Sequence, residues 1–265
     1  MLPKYEAIEI TGFISEKSGH TKPWVVTVVT PDGLKSFVVK LYSTQQVDDM
    51  YCVNNEVFCN ILASEFDLQA PKCALIEIPD SITMNLSTEQ QLQLMNSDPR
   101  PKFATEYVPN VNSAVIGLPK NIYKKRISMD MLYAFDNLIR NGDRGHPKSN
   151  LLLASDVAYL IDHELALRSQ EIVNVNLREL QLEGKFTQEH LFYPYLKNAK
   201  RKTKQTYFND FSESMNRLNI NILNPYIKTL LDEGYKNNQP EIYHWLNEVK
   251  QKFTMFVNIL KGSLQ

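Results

Sequence analysis

Residues 141 to 164 read NGDRGHPKSNLLLASDVAYLIDHE, and the order of elements in this stretch decides how the rest of the chain is read. Just upstream, Met131, Leu132, Phe135, Leu138 and Ile139 recur at helical spacing behind Ser128, a good cap, and Asn141-Gly142 stops the helix. A polar loop then presents Asp143 and, seven positions later, Asn150. Two short apolar runs, 151–154 and 157–161, are joined by Ser155-Asp156 and predict a small hairpin with Asp162 at its far end. One carboxylate can orient a hydroxyl and accept its proton. An amide oxygen and a second carboxylate supply hard oxygen ligands for magnesium held on ATP phosphates, so this order of groups suits phosphoryl transfer.

Working outward toward the N-terminus, 24–30 (WVVTVVT) and 34–42 (LKSFVVKLY) are rich in β-branched and aromatic residues, with Pro31-Asp32-Gly33 between them as turn chemistry. A period of two puts Phe37, Val39 and Leu41 on one face of the second strand and Val38, Lys40 and Tyr42 on the other. From about 46 to 66 the spacing predicts one helix, with Val47, Met50, Val57, Phe58, Ile61 and Leu62 in its apolar stripe. Beside that stripe lies a row of Cys52, Glu56, Cys59 and Ala63, whose small members let the helix approach a sheet closely while Glu56 faces Lys40. Further strands are expected at 72–78 and 102–108, around an insert with a short helix after Thr88. The segment after Tyr107, with Pro109, Gly117 and Pro119, reads as a hinge. The expected fold is therefore α+β and bilobal, kinase-like, with a β-rich lobe over 1–110 and a helical lobe over 111–265. Helices are expected around 187–198, 205–219, 224–236 and 240–261. ATP would lie between the lobes, its adenine against the backbone of Glu106, Tyr107 and Val108.

Lysine plus arginine (29) nearly balance aspartate plus glutamate (30), which excludes a global field steering the chain to nucleic acid or a membrane. Charged partners must be met locally. The run KNAKRKTK, 197–204, fits an acidic substrate or RNA and also a solvated helix end; KKR at 124–126 is a shorter signal of the same kind. Three cysteines without paired short spacing imply neither a disulfide framework nor a structural zinc, and a reducing cytoplasm is expected. No 18-residue apolar segment occurs.

The stretches FDNLIRNGDRGHPKSNLLL and YLIDHELAL, with SGHTKPWVV, SFVVKLY and NNEVFCNILASEF upstream, resemble the HipA-like kinases, bacterial serine/threonine kinase toxins with catalytic loops similar to those of phosphatidylinositol kinases. The resemblance runs from about Ser15 to Leu167. It implies that Lys40 contacts ATP phosphates with Glu56 as its partner, that Asp143 is the base, and that Asn150 and Asp162 hold Mg2+. It also implies a phosphate loop at Ser18 and Gly19, a serine or threonine hydroxyl of a protein as acceptor, and self-phosphorylation within 15–21, where Ser15, Ser18 and Thr21 are the candidates. Two features depart from the pattern. Asp143 and Asn150 are seven apart rather than five, which implies either a shifted asparagine or assistance from Ser149, and the loop carries one glycine, Gly19. Small-molecule kinases of the aminoglycoside or choline type share the Asp, Asn, Asp order but have His where this chain has Asn141, and a nucleotide-binding module without catalysis would have lost the lysine or a carboxylate. Arg144 suits either phosphate charge or a salt bridge. His146 and His163 fit a metal site or the orienting of a carboxylate, and Asp136 reads as a structural partner of the loop.

Overall fold

A computed structural model describes residues 1–14, 22–145, 148–173, 175–182 and 184–265. The phosphate-loop candidates Ser15, Ser18, Gly19 and Thr21, and His146, lie outside the described residues. The chain divides into two compact units. One comprises Met1–Phe58, Pro71–Pro109 and Leu223–Asn237; the other comprises Cys59–Ala70, Asn110–Ile222 and Asn238–Gln265.

The first unit is built on a closed five-stranded barrel in the order β1-β2-β3-β5-β4, from β1 (Lys4–Phe13), β2 (Trp24–Thr30), β3 (Gly33–Val39), β4 (Cys73–Glu77) and β5 (Lys102–Glu106). The hairpin read from valine and threonine content pairs in one unbroken register from Trp24 opposite Val39 to Thr30 opposite Gly33. Gly33 turns the chain with a φ of 107°, in the half of the map that a side chain disfavours. Alternation sends Trp24, Val26, Val28, Phe37 and Val39 inward, where they meet Ala7, Ala74, Ile76 and Ala104. Each large apolar side chain so buried contributes roughly 1.5–3 kcal/mol. β1 closes the ring, antiparallel to β2 and parallel to β4. The sequence reading assigned it no strand, because in KYEAIEITGF only Ala7 is buried and no apolar alternation is left to see.

Two expectations need correction here. The strand expected to run to 42 ends at Val39, and the Lys40 amide instead donates to the Phe103 carbonyl at 3.0 Å. The single helix expected over 46–66 is two: α1 (Thr44–Asp48), opened by a Ser43–Gln46 capping box, and α2 (Cys52–Glu65). Tyr51 breaks them with a φ of 55°, and Asn55 caps the break by donating to the Met50 carbonyl at 3.1 Å. α2 starts in the first unit and ends in the second. The insert holds α3 (Thr88–Met95).

The second unit carries a small antiparallel sheet of β6 (Asn112–Ser113), β7 (Leu151–Leu153) and β8 (Ala158–Leu160), with α4 (Lys120–Lys124) and α5 (Met129–Leu138) preceding the hairpin. Then come α6 (Ser169–Ile172), α7 (Tyr193–Lys197), α8 (Arg201–Lys204), α9 (Asn209–Arg217), α11 (Gln239–Gln251) and α12 (Phe253–Ser263), while α10 (Asn224–Asp232) belongs to the first unit. The helix expected over 187–198 shrinks to Tyr193–Lys197, and the one over 240–261 is interrupted at Lys252, which ends α11 and opens α12. Phe66 stacks on Phe211 at 5.3 Å and meets Phe135 at 5.4 Å, and the Trp245 indole donates to the Leu138 carbonyl at 2.7 Å, which fixes the end of α5. The α+β class read from the sequence is the class observed. The three cysteines are free and buried, and burial pushes the Cys73 thiol up to about 12. No described helix is long and apolar enough to cross a membrane.

Candidate active site

In the first unit, α2 aims Glu56 inward from among Cys52, Cys59 and Ala63, all buried. Its carboxylate Oε1 takes the Lys40 ammonium and, at 3.0 Å, the Tyr42 hydroxyl. Only 13% of the Lys40 side chain and 3% of that of Glu56 face solvent, so the charges meet where water screens them little. The lysine reaches this position because β3 stops one residue before it. Glu106 and Tyr107 have their amides engaged within the barrel. Their amides already donate to the Lys72 and Ser36 carbonyls, each at 2.8 Å, and the Glu106 carboxylate pairs with Lys35 at 3.2 Å. Among these three residues Val108 is the one whose amide makes no backbone hydrogen bond to a described residue.

In the second unit the end of α5 generates the loop. Arg140 takes a left-handed conformation, with a φ of 53°, and the Asn141 amide turns back to the Asp136 carbonyl at 2.7 Å. Asn141 Oδ1 then receives the Asp143 amide at 3.1 Å. Asn150 spans the seven-residue spacing directly: its Nδ2 donates to the Asp143 carbonyl at 3.1 Å and to Asp143 Oδ2 at 2.9 Å. Two oxygen acceptors identify the nitrogen of that amide, which leaves Asn150 Oδ1 for another partner. Asn150 and Asp162 both have positive φ, 48° and 63°, in a region that residues other than glycine enter at a cost. Burial, and after it the negative charge of Asp162, push the Asp143 carboxyl above its ordinary range, while the Asn150 hydrogen bond pulls the other way; Glu164 adds to the rise. The Ser149 hydroxyl donates to the Ala114 carbonyl.

Beneath the loop lies a network that is fully buried. The Arg144 guanidinium straddles Asp136, with Nε at 2.8 Å from Oδ2 and Nη2 at 3.2 Å from Oδ1. It also reaches the Asn150 carbonyl through Nη1 and His163 Nε2 at 3.2 Å. Of the two roles open to Arg144, the geometry gives the salt bridge. His163 is likewise a partner of Arg144. His190, which the sequence reading did not single out, completes the network. Its Nδ1 accepts the Phe192 amide at 3.1 Å, so Nε2 carries the proton and donates to Asp136 Oδ2 at 3.0 Å. Burial on its own would raise the Asp136 carboxyl, but Arg144 and His190 outweigh it and hold the group at about 2. Next to this network Gly145 pairs with His190, and a Cβ there would run into the Glu189 carbonyl. The only sequence signal for His190 was an isolated histidine before an apolar run, and that pattern has no partner until the fold supplies one.

The donor set around Asp143 fits a small hard cation: two carboxylates close enough to disfavour each other's charge, and an amide oxygen, Asn150 Oδ1, that makes no hydrogen bond among the described residues. The family model described as HipA-like kinase matches residues 8–233. Comparison with curated proteins finds no match. Among solved structures, the crystal structure of a Helicobacter pylori proinflammatory kinase, CtkA, is similar at 12% identity and a TM-score of 0.45, over 90% of this chain and 95% of that one. With its model matched across most of the length, the chain belongs to the HipA-like kinase family.

Proposed function

We propose that the chain is a magnesium-dependent kinase that moves the γ-phosphate of ATP to a serine or threonine hydroxyl of a protein. Kinase chemistry and ATP use follow from the family; the acceptor class and the metal are proposed. The observation that carries it is the tie between Asn150 and Asp143 with the Asp162 carboxylate near enough to raise Asp143. A carboxyl with a raised affinity for protons is suited to accept one from an attacking hydroxyl. Asp143 Oδ2 is oriented by Asn150, and the Asp143 backbone is held by Asn141, so the acceptor hydroxyl would meet a carboxylate already in position. Asn150 Oδ1 and Asp162 are the groups that would hold magnesium, which when bound neutralises phosphate charge. Lys40, fixed by Glu56 and Tyr42, presents a positive charge for the phosphates of ATP.

The test is incubation with magnesium and γ-labelled ATP in the presence of a mixed protein extract, aminoglycosides or choline. Label on protein serine or threonine, lost in Asp143→Ala, supports the reading. Label carried only by a small molecule would replace the acceptor class, and tight ATP binding without transfer would mean a nucleotide-binding module. Intact-mass spectrometry of the same samples reads self-phosphorylation at Ser15, Ser18 or Thr21.

A further inference from the structure

Two stretches of the second unit are basic and contain no acidic residue: 112–129, with Lys120, Lys124, Lys125 and Arg126, and 190–209, with Lys197, Lys200, Arg201, Lys202 and Lys204. These nine positions hold nearly a third of the 29 basic residues of a chain whose net charge is −1. Tyr195 joins them. Its hydroxyl accepts the Gly117 amide at 3.1 Å and donates to the Leu118 carbonyl at 2.8 Å, and its own carbonyl takes the Lys120 ammonium at 3.2 Å. Its ring meets that of Tyr123 at 5.7 Å, and the Tyr123 hydroxyl binds the Val115 carbonyl at 2.5 Å. Lys124, Lys125, Lys200, Arg201 and Lys202 are exposed, and none has an ion-pair partner among the described residues. Within the same stitched segment Val115 and Ile116 are 51% and 45% exposed, two apolar side chains left facing water.

Both stretches are fastened to the catalytic loop. Ala114, next to Val115, donates to the Leu151 carbonyl at 2.8 Å and accepts the Ser149 hydroxyl, on either side of Asn150. Leu191, two residues before α7, donates to the Arg144 carbonyl at 2.8 Å, one residue past Asp143. We infer that this basic and apolar face, held beside Asp143 and Asn150 by those tethers, docks an acidic segment with aliphatic side chains in the protein that is phosphorylated. Unpaired lysines call for carboxylates, and Val115 and Ile116 beside tyrosine call for apolar anchors, the mixture found at protein interfaces. A nucleic-acid backbone would satisfy the cations and leave the two apolar side chains without a partner. The inference rests on the protein-acceptor reading above and assigns it a substrate class.

The test uses the full chain with three fluorescent probes: a short peptide with serine flanked by glutamate and leucine, its counterpart with lysine for glutamate, and a single-stranded RNA. Binding is read by anisotropy at low and moderate salt, and transfer to the peptide from γ-labelled ATP. The acidic peptide is expected to bind, and the combined variant Lys197→Ala, Lys200→Ala, Arg201→Ala, Lys202→Ala should lose about tenfold in affinity and raise KM by the same factor. Its kcat and its KM for ATP should not change. Val115→Ser with Ile116→Ser should weaken the same peptide while leaving the salt dependence as it was. Equal binding of the two peptides, undiminished binding by the lysine variant, or displacement of the acidic peptide by a lower concentration of RNA would each overturn the inference. If the acidic peptide binds as expected but no peptide or protein accepts label, docking stands and the protein-acceptor reading falls. Transfer to proteins that the variants leave untouched is the reverse case, in which docking alone falls.

Discussion

Lys40–Glu56 and Arg144–Asp136 are both cation–carboxylate pairs withdrawn from water, one in each unit, and their surroundings differ. Arg144 and Asp136 have no exposed side-chain surface, and each has further partners inside the protein: His163 and the Asn150 carbonyl for the arginine, His190 and Asn141 for the aspartate. Lys40 keeps 13% of its side chain open. A guanidinium fork bound bidentately is a fixture, whereas an ammonium on a four-carbon stem can hold its carboxylate and still offer a hydrogen to an incoming phosphate. The comparison teaches that burial of a charge pair is not by itself a mark of catalysis. The pair with some exposure keeps an open side, and the pair with none supports the loop that carries Asp143 and Asn150.

Removing one partner of the closed pair should have the largest effect. Asp136→Asn leaves Arg144 buried with its charge uncompensated, and the expected cost is about 3–5 kcal/mol of unfolding free energy. Denaturant titration measures it, and a loss below about 1 kcal/mol would erase the distinction between the two pairs. Asp143→Ala lies one layer above that network. It should leave stability and ATP affinity nearly intact while lowering transfer on the order of 10²- to 10³-fold. Asp162→Ala should lower transfer too, but through weaker magnesium-dependent ATP binding, so calorimetry with and without magnesium separates the two roles.

Acid sharpens the contrast further. Because Asp136 titrates at about 2 when folded, below the ordinary carboxylate value, its contribution is fully present above about pH 4 and is lost as pH falls through about 2. The amount at stake is roughly 2 kcal/mol. Stability measured from pH 5 downward should drop less steeply in Asp136→Asn than in the parent protein. At the open pair the effect on stability should be smaller than at the closed one. Lys40→Met leaves a buried carboxylate that keeps the Tyr42 hydroxyl and, unlike arginine, can take up a proton, so the loss should fall below the roughly 3–5 kcal/mol of the closed pair while the thermal shift given by magnesium-ATP largely disappears. An undiminished shift would mean that another cation holds the phosphates.

How far the sequence could be read depended on whether a signal was local. The β2–β3 hairpin is written in consecutive valines around a turn, and the loop from Asn141 to Asp162 in a helix stop followed by a hairpin, so both were legible with their side chains in order. The meeting of Lys40 and Glu56 was legible from the helical period and from a strand period that carries over to the residue after β3. β1 was not legible because its partners bury one residue of its ten and leave the rest outside. The break at Tyr51 depends on a left-handed residue that is neither glycine nor asparagine, stabilised by a hydrogen bond from Asn55 that no spacing rule announces. His190 sits 54 positions from the carboxylate it serves, a distance over which periodicity says nothing. That the amides of Glu106 and Tyr107 are taken by the Lys72 and Ser36 carbonyls depends on barrel pairing that local sequence does not announce.

Barrel closure also sets a timetable for the chain as it leaves the ribosome. β1 finds β2 early, but its other edge waits for β4, where Lys4 lies opposite Leu75. Even then the first unit is unfinished, because it includes Leu223–Asn237. Arg100 donates to the Gly234 carbonyl at 2.8 Å, the Tyr235 hydroxyl to the Pro101 carbonyl, and Asn54 to the Lys236 carbonyl at 3.0 Å. Most of the second unit must therefore be synthesised before the first can be completed. The nascent barrel spends that interval with its downstream partners missing, the period in which trigger-type chaperones act and in which a stalled or nicked chain is most exposed to aggregation.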